Sequence, residues 1–473
     1  MMKRNLLKIF SVFVLMSLAM SSCMLGPQYQ KPESNASQKY RFDTLANAQK
    51  DTILNLRWWE IFDDATLNKL IKTALDQNKD VRLAASRIAE ARAMYGYTRA
   101  DQYPIIDFSG GASSGNFSGM RLAQVTSNYF LTPTLSWELD FWGKYRSASI
   151  AAQSDLLASE YGHRAVQISL ISSVAKSYYS LLDYQNRLAI SEKTLAARDS
   201  SLMIIQARYD KGYSNELDLN QAQIQKAVAA TSIPVFRRGV AIRENALSLL
   251  LGQNPSAITT GKNIQDQNNK VEIPYGIPSL LLERRPDIAE AGENYRAQNA
   301  LISQAIAMRL PSISLTGLLG AASNDLSTIT SQGLAWSVGA NILGPIFQFG
   351  KNKRRVDIQR EKANQSLIIY ERTVLTAFKE VEDALVSIQT YQEEIAARDF
   401  QATAAMNAEE LSRIRYERGV STYLEVLETQ RSSFDAQLGL SGALEGLLST
   451  YIDLYSSLGG GWISPQEETN SKP

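Results

Sequence analysis

The sequence predicts a mainly α-helical protein with a small β part, built from two tandem copies of one unit. Three observations carry this prediction. Many residues recur at a constant offset of 207 positions, each half contains a stretch of about 65 residues that suits one uninterrupted helix, and four short runs alternate between apolar and polar residues. The 473 residues therefore divide into two similar halves rather than into unrelated domains.

The repeat consists of matching residues that keep their order and their spacing. Pro104 matches Pro311 at the offset of 207 positions. Further pairs at the same offset are Asp80 and Asp287, Gly143 and Gly350, Val174 and Val381, Arg208-Tyr209 and Arg415-Tyr416, Gly212 and Gly419, Ser214 and Ser421, Gln223 and Gln430, and Leu251-Gly252 and Leu458-Gly459. Because chance would not give an ordered set of matches without a gap, the sequence indicates a tandem duplication.

Each copy is predicted to contain a helix, two short strands, one very long helix, a tight turn and another long helix. The very long helix of copy one covers about residues 144–211, which at 1.5 Å per residue extends about 100 Å. Apolar residues recur at every seventh position along it, at Val174, Leu181, Leu188, Leu195, Leu202 and Tyr209. Copy two keeps the series at Val381, Ile388, Ile395, Ala402 and Tyr416 but places Glu409 within it. This period predicts a left-handed supercoiled seam, so these residues are assigned to packing.

Each very long helix is predicted to end in a tight turn. Gly212 and Gly419 follow runs that end in basic residues, as glycine does at helix C-termini. Ser214 and Ser421 are the predicted N-caps of the returning helices, because a hydroxyl can accept a hydrogen bond from an early amide. Each copy is therefore predicted to form a helical hairpin with a pointed tip.

The four alternating runs predict strands with one apolar face. They cover about residues 103–117 and 127–139 in copy one, and about 310–322 and 333–346 in copy two. One interpretation is a small soluble sheet packed on a core, but such a sheet would have little to pack against beside helices of about 100 Å. The other is a transmembrane β-barrel, whose strands alternate in the same way. Four strands cannot close a barrel alone, so several chains would have to share it.

The start of the chain indicates its compartment. A basic start precedes an apolar run over residues 9–20, which has the length of a signal-peptide core and is too short for a transmembrane helix. The run ends in Met-Ser-Ser-Cys, which resembles a bacterial lipoprotein cleavage site. Because Cys23 is the only cysteine and stands where the signal ends, we expect residues 1–22 to be removed and Cys23 to be lipidated.

Composition argues against several classes of function. The chain has 49 Lys and Arg against 48 Asp and Glu, without the basic surplus of a nucleic-acid-binding protein. One Cys and one His are too few for a metal site, and none is predicted. Ser173 and Lys176 fit a Ser-x-x-Lys hydrolase pattern, but its partner motifs are absent and the pattern lies within the seam. An enzyme is thus the third alternative, behind a channel and a lipid-anchored coiled-coil spacer or adaptor without a pore.

Four motifs resemble those of a known family. They are the start at residues 23–32, where a Cys is followed by Gly-Pro, Tyr and Pro; Trp58-Trp59 with Phe62, Asp64 and Leu67; Leu-Leu-Glu-Arg-Arg-Pro-Asp-Ile at 281–288; and Pro-Ser-Ile-Ser-Leu at 311–315. The family is that of the TolC-like outer-membrane efflux factors, specifically their lipoprotein branch. The resemblance covers essentially the whole chain after the signal. It implies a homotrimeric α-helical barrel capped by a shared 12-strand transmembrane β-barrel, with four strands from each chain, that acts as a passive export channel.

The resemblance also implies partners and a location. The tips of the helical tube are expected to meet a periplasmic adaptor (a membrane fusion protein), which joins them to an inner-membrane RND-type pump that supplies the energy. The chain is expected in the cell outer membrane, lipid-anchored, barrel-spanning and extending into the periplasm, with no cofactor besides the lipid on Cys23 and no nucleic acid. The candidate adaptor contacts are the tip residues Arg208, Gly212, Ser214, Arg415, Gly419 and Ser421.

A gate is implied at the tip of copy two. The family closes its periplasmic end with inward-facing acidic residues, which by motif match are Glu425 and Glu428; Tyr416 corresponds to a tip tyrosine that holds the closed state. A spacing of three puts both glutamates on one helical face, and three chains would give six carboxylates that favour cations. The alternatives are a solvated acidic helix face and, for Tyr416, the last member of the seam.

The predicted organisation follows from these elements. Residues 1–22 are the signal peptide. Residues 23–256 hold the N-terminal segment and the first repeat, whose helical hairpin covers about 144–251. Residues 257–473 hold a linker, the second repeat with a hairpin over about 351–458, and the C-terminal tail.

Overall fold

The computed structural model describes residues 25–32, 40–41, 64–115, 125–267, 282, 284–331 and 334–460. In chain order the elements are α1 (Ala65–Gln77), α2 (Lys79–Ala100), β1 (Ile105–Gly115), β2 (Thr126–Leu139), α3 (Lys144–Asp210), α4 (Glu216–Leu250), α5 (Pro286–Ala307), β3 (Ser312–Ser323), β4 (Leu334–Leu343), α6 (Lys351–Glu417) and α7 (Tyr423–Ser457). Two short 3₁₀ turns cover Ile264–Asp266 and Leu326–Thr328. Cys23, Trp58 and Trp59 lie outside the described residues.

The duplication is visible in the bounds of the helices. The helices α3 and α6 both have 67 residues, and α4 and α7 both have 35. Each helix of a pair starts and ends 207 positions from its counterpart, as do α2 and α5. The predicted fold class of a mainly helical chain with two repeats and four strands is confirmed. The strand β4 ends at Leu343 rather than near residue 346, since Pro345 has no amide hydrogen for the ladder.

The described chain divides into two compact units that do not follow the repeat boundary. Unit 1 consists of Met1–Glu33, Arg87–Glu160 and Glu290–Glu371, and it contains the sheet. Unit 2 consists of Ser34–Ser86, Tyr161–Ala289 and Arg372–Pro473, and it contains the turns between α3 and α4 and between α6 and α7. Each repeat therefore contributes residues to both units.

The sheet of unit 1 is an antiparallel meander in the order β1-β2-β3-β4. Its register places Ile106 opposite Leu135, Leu135 opposite Gly317, and Gly317 opposite Val338. Because directly opposite residues share a face, the apolar residues of all four strands gather on one side of the sheet. That side is not covered by a core: Ile106, Trp336 and Val338 are 73%, 70% and 80% exposed. The arrangement disfavours the soluble-sheet interpretation.

The core of unit 2 lies among its helices. Its fully buried members include Leu67, Ile71, Val174, Tyr178, Leu181, Val381, Ile388, Leu447 and Tyr451. The seven-residue series is thus buried at Val174 and Leu181 in copy one and at Val381 and Ile388 in copy two. Asp64 is buried beside this core, where its carboxylate caps α1 and accepts a hydrogen bond from the Tyr178 hydroxyl at 2.9 Å. None of the described helices combines the length and the apolar composition that crossing a bilayer requires.

Candidate functional site: the hairpin tips

Both hairpins end in the same turn. Gly212 and Gly419 have φ values of +76° and +74°, which is the left-handed region that favours glycine. In copy one the amide of Tyr213 donates to the carbonyl of Arg208 at 2.8 Å, and in copy two Val420 donates to Arg415 at 2.9 Å. This bond, from the third residue after the helix to the third-last residue of the helix, defines a Schellman motif. Glycine therefore ends each long helix, as the sequence predicts.

The predicted serine N-caps are wrong. The cap of α4 is Asn215, whose side-chain oxygen accepts from the amide of Asp218 at 2.8 Å, while Ser214 donates its hydroxyl to the Asp218 carboxylate at 3.0 Å. In copy two the cap position of α7 is Thr422, which makes no side-chain cap bond, and the buried Ser421 hydroxyl has no protein partner. The Schellman turn occupies the three residues after each long helix, and the serine that follows it stands one position before the cap.

A small apolar core joins the two tips. Its buried members are Ile205, Leu219, Ala222, Tyr423, Val426 and Leu427, with Leu202 and Tyr416 packed against them. The residues come from both repeats, so the ends of the two hairpins pack on each other within unit 2. Tyr423 stands where copy one has Glu216, which makes this buried aromatic a feature of copy two alone. Burial raises the pKa of Tyr423 to about 12, and the neighbouring Tyr416 and Asp218 add to the rise.

Tyr416 links the copies directly. The guanidinium carbon of Arg208 lies 4.6 Å from the centroid of its ring, and the ring of Tyr423 lies 5.3 Å away at an angle of 50°. A cation over an aromatic face and a tilted ring pair are both favourable contacts. The predicted tip residue Arg208 of copy one and the predicted gate residue Tyr416 of copy two are therefore in contact.

Glu425 and Glu428 lie on the exposed face of the first turns of α7. Their side chains are 42% and 64% exposed, and each forms an ion pair within its own chain. An oxygen of Glu425 lies 3.1 Å from Nε of Arg415, and one of Glu428 lies 2.7 Å from Nη2 of Arg431. Arg415 is itself one of the predicted tip residues. The structure thus shows that both predicted gate glutamates have arginine partners, which the sequence analysis does not predict.

Copy one lacks this arrangement. The positions of Glu425 and Glu428 are occupied there by Asp218 and Gln221, of which only the aspartate can carry a charge. Asp218 accepts from Ser214 rather than from an arginine. The two tips share a backbone turn but differ in charge and in side-chain contacts.

Both tips also present apolar side chains that nothing covers. Tyr213 and Leu217 are exposed in copy one, and so are their counterparts Val420 and Leu424 in copy two. A Cβ added at Gly212 or Gly419 would meet no atom within 4 Å, so both turns are open. The sequence analysis does not single out these apolar residues, although their repetition at the offset of 207 positions is a signal that could identify them.

Among the residues that the structure describes, no group of three or more His, Cys, Asp or Glu side chains could hold a metal ion. The tips present charged and apolar surfaces on a pair of long helical hairpins, and the sheet presents a bare apolar face. The combination of a bare apolar sheet face with long helical hairpins indicates a membrane protein.

Comparisons with known proteins agree with this class. Residues 70–253 and 277–460 each match the outer membrane efflux protein family, and the two matches are themselves 207 positions apart. Cation efflux system protein CusC of Escherichia coli O6:H1 is 36% identical over 455 residues, covering 94% of this chain and 97% of CusC. The probable efflux pump outer membrane protein TtgC of Pseudomonas putida is 33% identical over 472 residues, covering 97% of this chain and 98% of TtgC.

Solved structures agree as well. The outer-membrane channel OprN matches with a TM-score of 0.87 at 29% identity, covering 93% of this chain and 100% of the OprN chain. The chain belongs to the outer membrane efflux protein family. It is the outer-membrane channel component of an efflux pump, passive and not an enzyme, and the predicted family and function are confirmed.

Proposed function

We propose that three copies of the chain assemble into one continuous duct, with a 12-strand barrel in the outer membrane and a helical tube below it. The observation that carries this proposal is the sheet, whose apolar side is bare and whose outer strands β1 and β4 each pair on one side only. Unpaired strand edges cannot remain in lipid, because their amides and carbonyls would have no partners. Three chains of four strands remove every edge and leave room for a channel, whereas eight strands fill their own interior.

The helix α4 supports association between chains. A stripe of exposed apolar residues follows one face of it, with spacings of seven and four, at Leu217, Ile224, Val228, Val235, Ile242 and Leu249. The equivalent positions of α7 are Leu424, Arg431, Asp435, Gly442, Ser449 and Ser456. The stripe is therefore specific to copy one, and a neighbouring chain would cover it.

The tips are the proposed docking surface for a periplasmic adaptor, which joins the duct to an inner-membrane RND-type pump. Arg208, Gly212 and Ser214 lie at one tip, and Arg415, Gly419 and Ser421 lie at the other. Each tip carries an exposed apolar pair, Tyr213 and Leu217 in copy one and Val420 and Leu424 in copy two. Two equivalent apolar patches support this role, since they suit a partner that binds both repeats in the same way.

Glu425 and Glu428 are the proposed periplasmic gate, with Tyr416 holding its closed state. Support comes from their exposed position near the tip of the second hairpin and from the contacts of Tyr416 with Arg208 and Tyr423. In a trimer six carboxylates would surround one axis and attract cations. The pairing of Glu425 with Arg415 means that part of this charge is compensated within each chain.

Lipidation of Cys23 is proposed as the membrane anchor, and the described N-terminal segment supports it. Gly26 packs so closely on Ser303 that a Cβ would meet the serine side chain, and the ring of Tyr29 lies 5.8 Å from that of Tyr295. Both contacts are on α5, and Ser303 is close to the end of this helix that leads into β3. The described residues that follow Cys23 in the sequence therefore pack against the helix that leads into β3.

The cargo is proposed to be small molecules or ions that the pump selects. The names of the relatives include a cation efflux protein, CusC, and toluene and solvent efflux proteins of Pseudomonas putida. Since relatives of similar identity carry such different names, the duct is expected to accept cargo of several classes.

Reconstitution of the full-length lipidated protein tests the proposed assembly. A duct gives a trimer in native mass spectrometry, a heat-resistant sheet signal in circular dichroism and stepwise conductance in planar bilayers. A lipid-anchored spacer gives neither a heat-resistant sheet signal in circular dichroism nor conductance in the bilayer. That result would reject the proposal. Replacement of Cys23 by Ser, compared with Ser22→Ala as control, should remove the lipid mass and leave conductance intact.

A further inference from the structure

Two arginines are buried among the described residues, and their surroundings differ. Arg285 is 7% exposed and Arg198 is 2% exposed. Arg285 donates to the carboxylates of Asp287 and Glu380, so its charge is compensated. Arg198 makes one hydrogen bond, from Nη1 to the carbonyl oxygen of Gln225 at 2.7 Å. Its Nε has no protein partner, and none of the described carboxylates lies within 4 Å of its guanidinium.

The guanidinium of Arg198, on α3, has neighbours on the three other helices of the hairpins. Gln225 belongs to α4, and the ring centroid of Phe434, on α7, lies 5.3 Å from the guanidinium carbon. Burial lowers the pKa of Arg198, and the charges of Glu409 on α6 and Asp435 on α7 oppose this effect. The two carboxylates are therefore near enough to act on Arg198 while neither is bonded to it.

The charges of this cluster arise from complementary divergence of the two copies. Arg198 corresponds to Ala405, Glu409 corresponds to Leu202, and Asp435 corresponds to Val228. Copy one thus carries a cation where copy two has alanine, and copy two carries two anions where copy one is apolar. A buried charge without an ion-pair partner raises the free energy of the arrangement that contains it, because its lost hydration is only partly replaced.

We propose that Arg198 is a positioning residue for opening of the duct, which forms an ion pair with Glu409 in a second arrangement of the two hairpins. The half-buried Glu409 is the partner rather than Asp435, which is exposed, because an ion pair screened from water is the stronger one. The unpaired burial of Arg198 destabilises the present arrangement, and the ion pair stabilises the other. A group that differs in this way between two states shifts the balance between them.

The proposal explains the one departure from the seam. Glu409 occupies a seam position at which copy one has Leu202, and a carboxylate there weakens the apolar packing of α6. A carboxylate at this seam position, near a buried cation, is explained if the two charges meet in another state. The proposal rests on the channel function, but not on the assignment of Glu425 and Glu428 to the gate.

Single-channel recording of the full-length trimer in planar bilayers tests the proposal. Arg198→Met and Glu409→Gln should each lower the open probability by about fivefold or more, the lower end of typical coupling between states. The double variant should lose no more than either single variant, because both remove the same ion pair. The charge swap Arg198→Glu with Glu409→Arg should restore opening at least in part. Glu410→Gln is the matched control, since Glu410 is exposed and pairs with Arg413.

Arg198→Met separates the proposed role from simple packing. If Arg198 only holds the helices together, the variant lowers the melting temperature and leaves the open probability of the assembled trimer unchanged, which would overturn the proposal. Additive losses in the double variant would overturn it as well. If Arg198→Met fails to assemble, Glu409→Gln decides alone, because its amide preserves the shape of the side chain. A wild-type trimer without conductance would instead contradict the channel function.

Discussion

Asn78 and Arg285 make the same contact in the two repeats, at positions 207 residues apart. Nδ2 of Asn78 donates to the carbonyl of Leu250 at 2.9 Å, and Nη1 of Arg285 donates to the carbonyl of Ser457 at 3.1 Å. Leu250 and Ser457 are the last residues of α4 and α7. Carbonyls at a helix C-terminus lack partners within the helix, so each bond satisfies a group that folding would otherwise leave unpaired.

The two contacts differ in their further partners, which gives a first prediction. Asn78 also accepts from the amides of Asp80 and Val81, whereas Arg285 also bonds to Asp287 and Glu380. Asn78→Ala should cost about 1–2 kcal/mol, as the loss of a cap and a buried hydrogen bond does. Arg285→Ala should cost more, because it removes hydrogen bonds to two carboxylates in addition to the bond to the helix end.

Thermal unfolding of the purified protein in detergent measures this difference. Arg296→Ala serves as the control, since its guanidinium is exposed and forms one longer ion pair with Glu293 at 3.6 Å. It should leave the melting temperature nearly unchanged. Equal melting temperatures for Asn78→Ala and Arg285→Ala would show that the extra carboxylate bonds of Arg285 add no stability.

The proposed gate leads to a second prediction. Glu425→Ala combined with Glu428→Ala should raise single-channel conductance and weaken cation preference, because the variant removes six carboxylates from the axis of a trimer. The measurement is conductance and reversal potential in a planar bilayer under a salt gradient. Glu410→Ala, which removes an exposed glutamate of α6, is the control and should change neither value. Unchanged conductance and reversal potential in the double variant would remove Glu425 and Glu428 from the gate.

The faces of β4 lead to a third prediction. Val338 belongs to the bare apolar side of the sheet, and its neighbour Ser337 points to the opposite side. Val338→Arg should destabilise insertion by about 2–4 kcal/mol, as a basic residue does on the lipid face of a membrane strand. Ser337→Arg should be tolerated, because it faces the interior of the proposed barrel.

The amount of heat-resistant trimer recovered from outer-membrane fractions measures this effect. Val338→Arg should reduce it strongly, while Ser337→Arg should leave it close to the wild-type amount. Equal losses in the two variants would contradict the assignment of the faces, and no loss in either would contradict a membrane position for the sheet.

The sequence predicts the repeated elements well because their signals are local. Gly212 and Gly419 follow basic runs, and the alternation around Leu135 and Trp137 has a period of two, so neither needs knowledge of distant residues. The caps fail for a local reason as well, since the choice between Ser214 and Asn215 depends on how many residues the turn uses. Here a Schellman motif takes three residues after the helix and the cap falls one position beyond the serine, which the sequence does not specify.

The side-chain contacts between the helices could not be predicted in this way. The pairing of Arg415 with Glu425 joins two helices across a turn, and the stacking of Arg208 on Tyr416 joins residues of different repeats. Such contacts depend on which faces of four helices meet, whereas a seven-residue period fixes only one seam. Arg198 gives no sequence signal beyond its divergence from Ala405, and its burial becomes visible only when all four helices are placed.

The glycines of the returning helices provide a last prediction. A Cβ at Gly239 would come closer than 3.0 Å to the ring of Tyr184, and a Cβ at Gly446 would come closer than 3.0 Å to the ring of Tyr391. Gly446 and Tyr391 lie 207 positions after Gly239 and Tyr184, so each hairpin contains the same contact of a tyrosine ring with a glycine. Gly239→Ala and Gly446→Ala should each destabilise the protein by about 1–3 kcal/mol, the typical cost of overpacking, although alanine is the better helix former.

Gly96 supplies the matched control for this prediction. It lies inside α2, where an added Cβ would meet nothing within 4 Å. Gly96→Ala should therefore stabilise the protein by about 0.5–1 kcal/mol, through helix propensity alone. Thermal unfolding of the three variants should give shifts of opposite sign. If all three variants raise the melting temperature, the tyrosine rings move aside without cost. The contacts between tyrosine and glycine would then not fix the spacing of the paired helices.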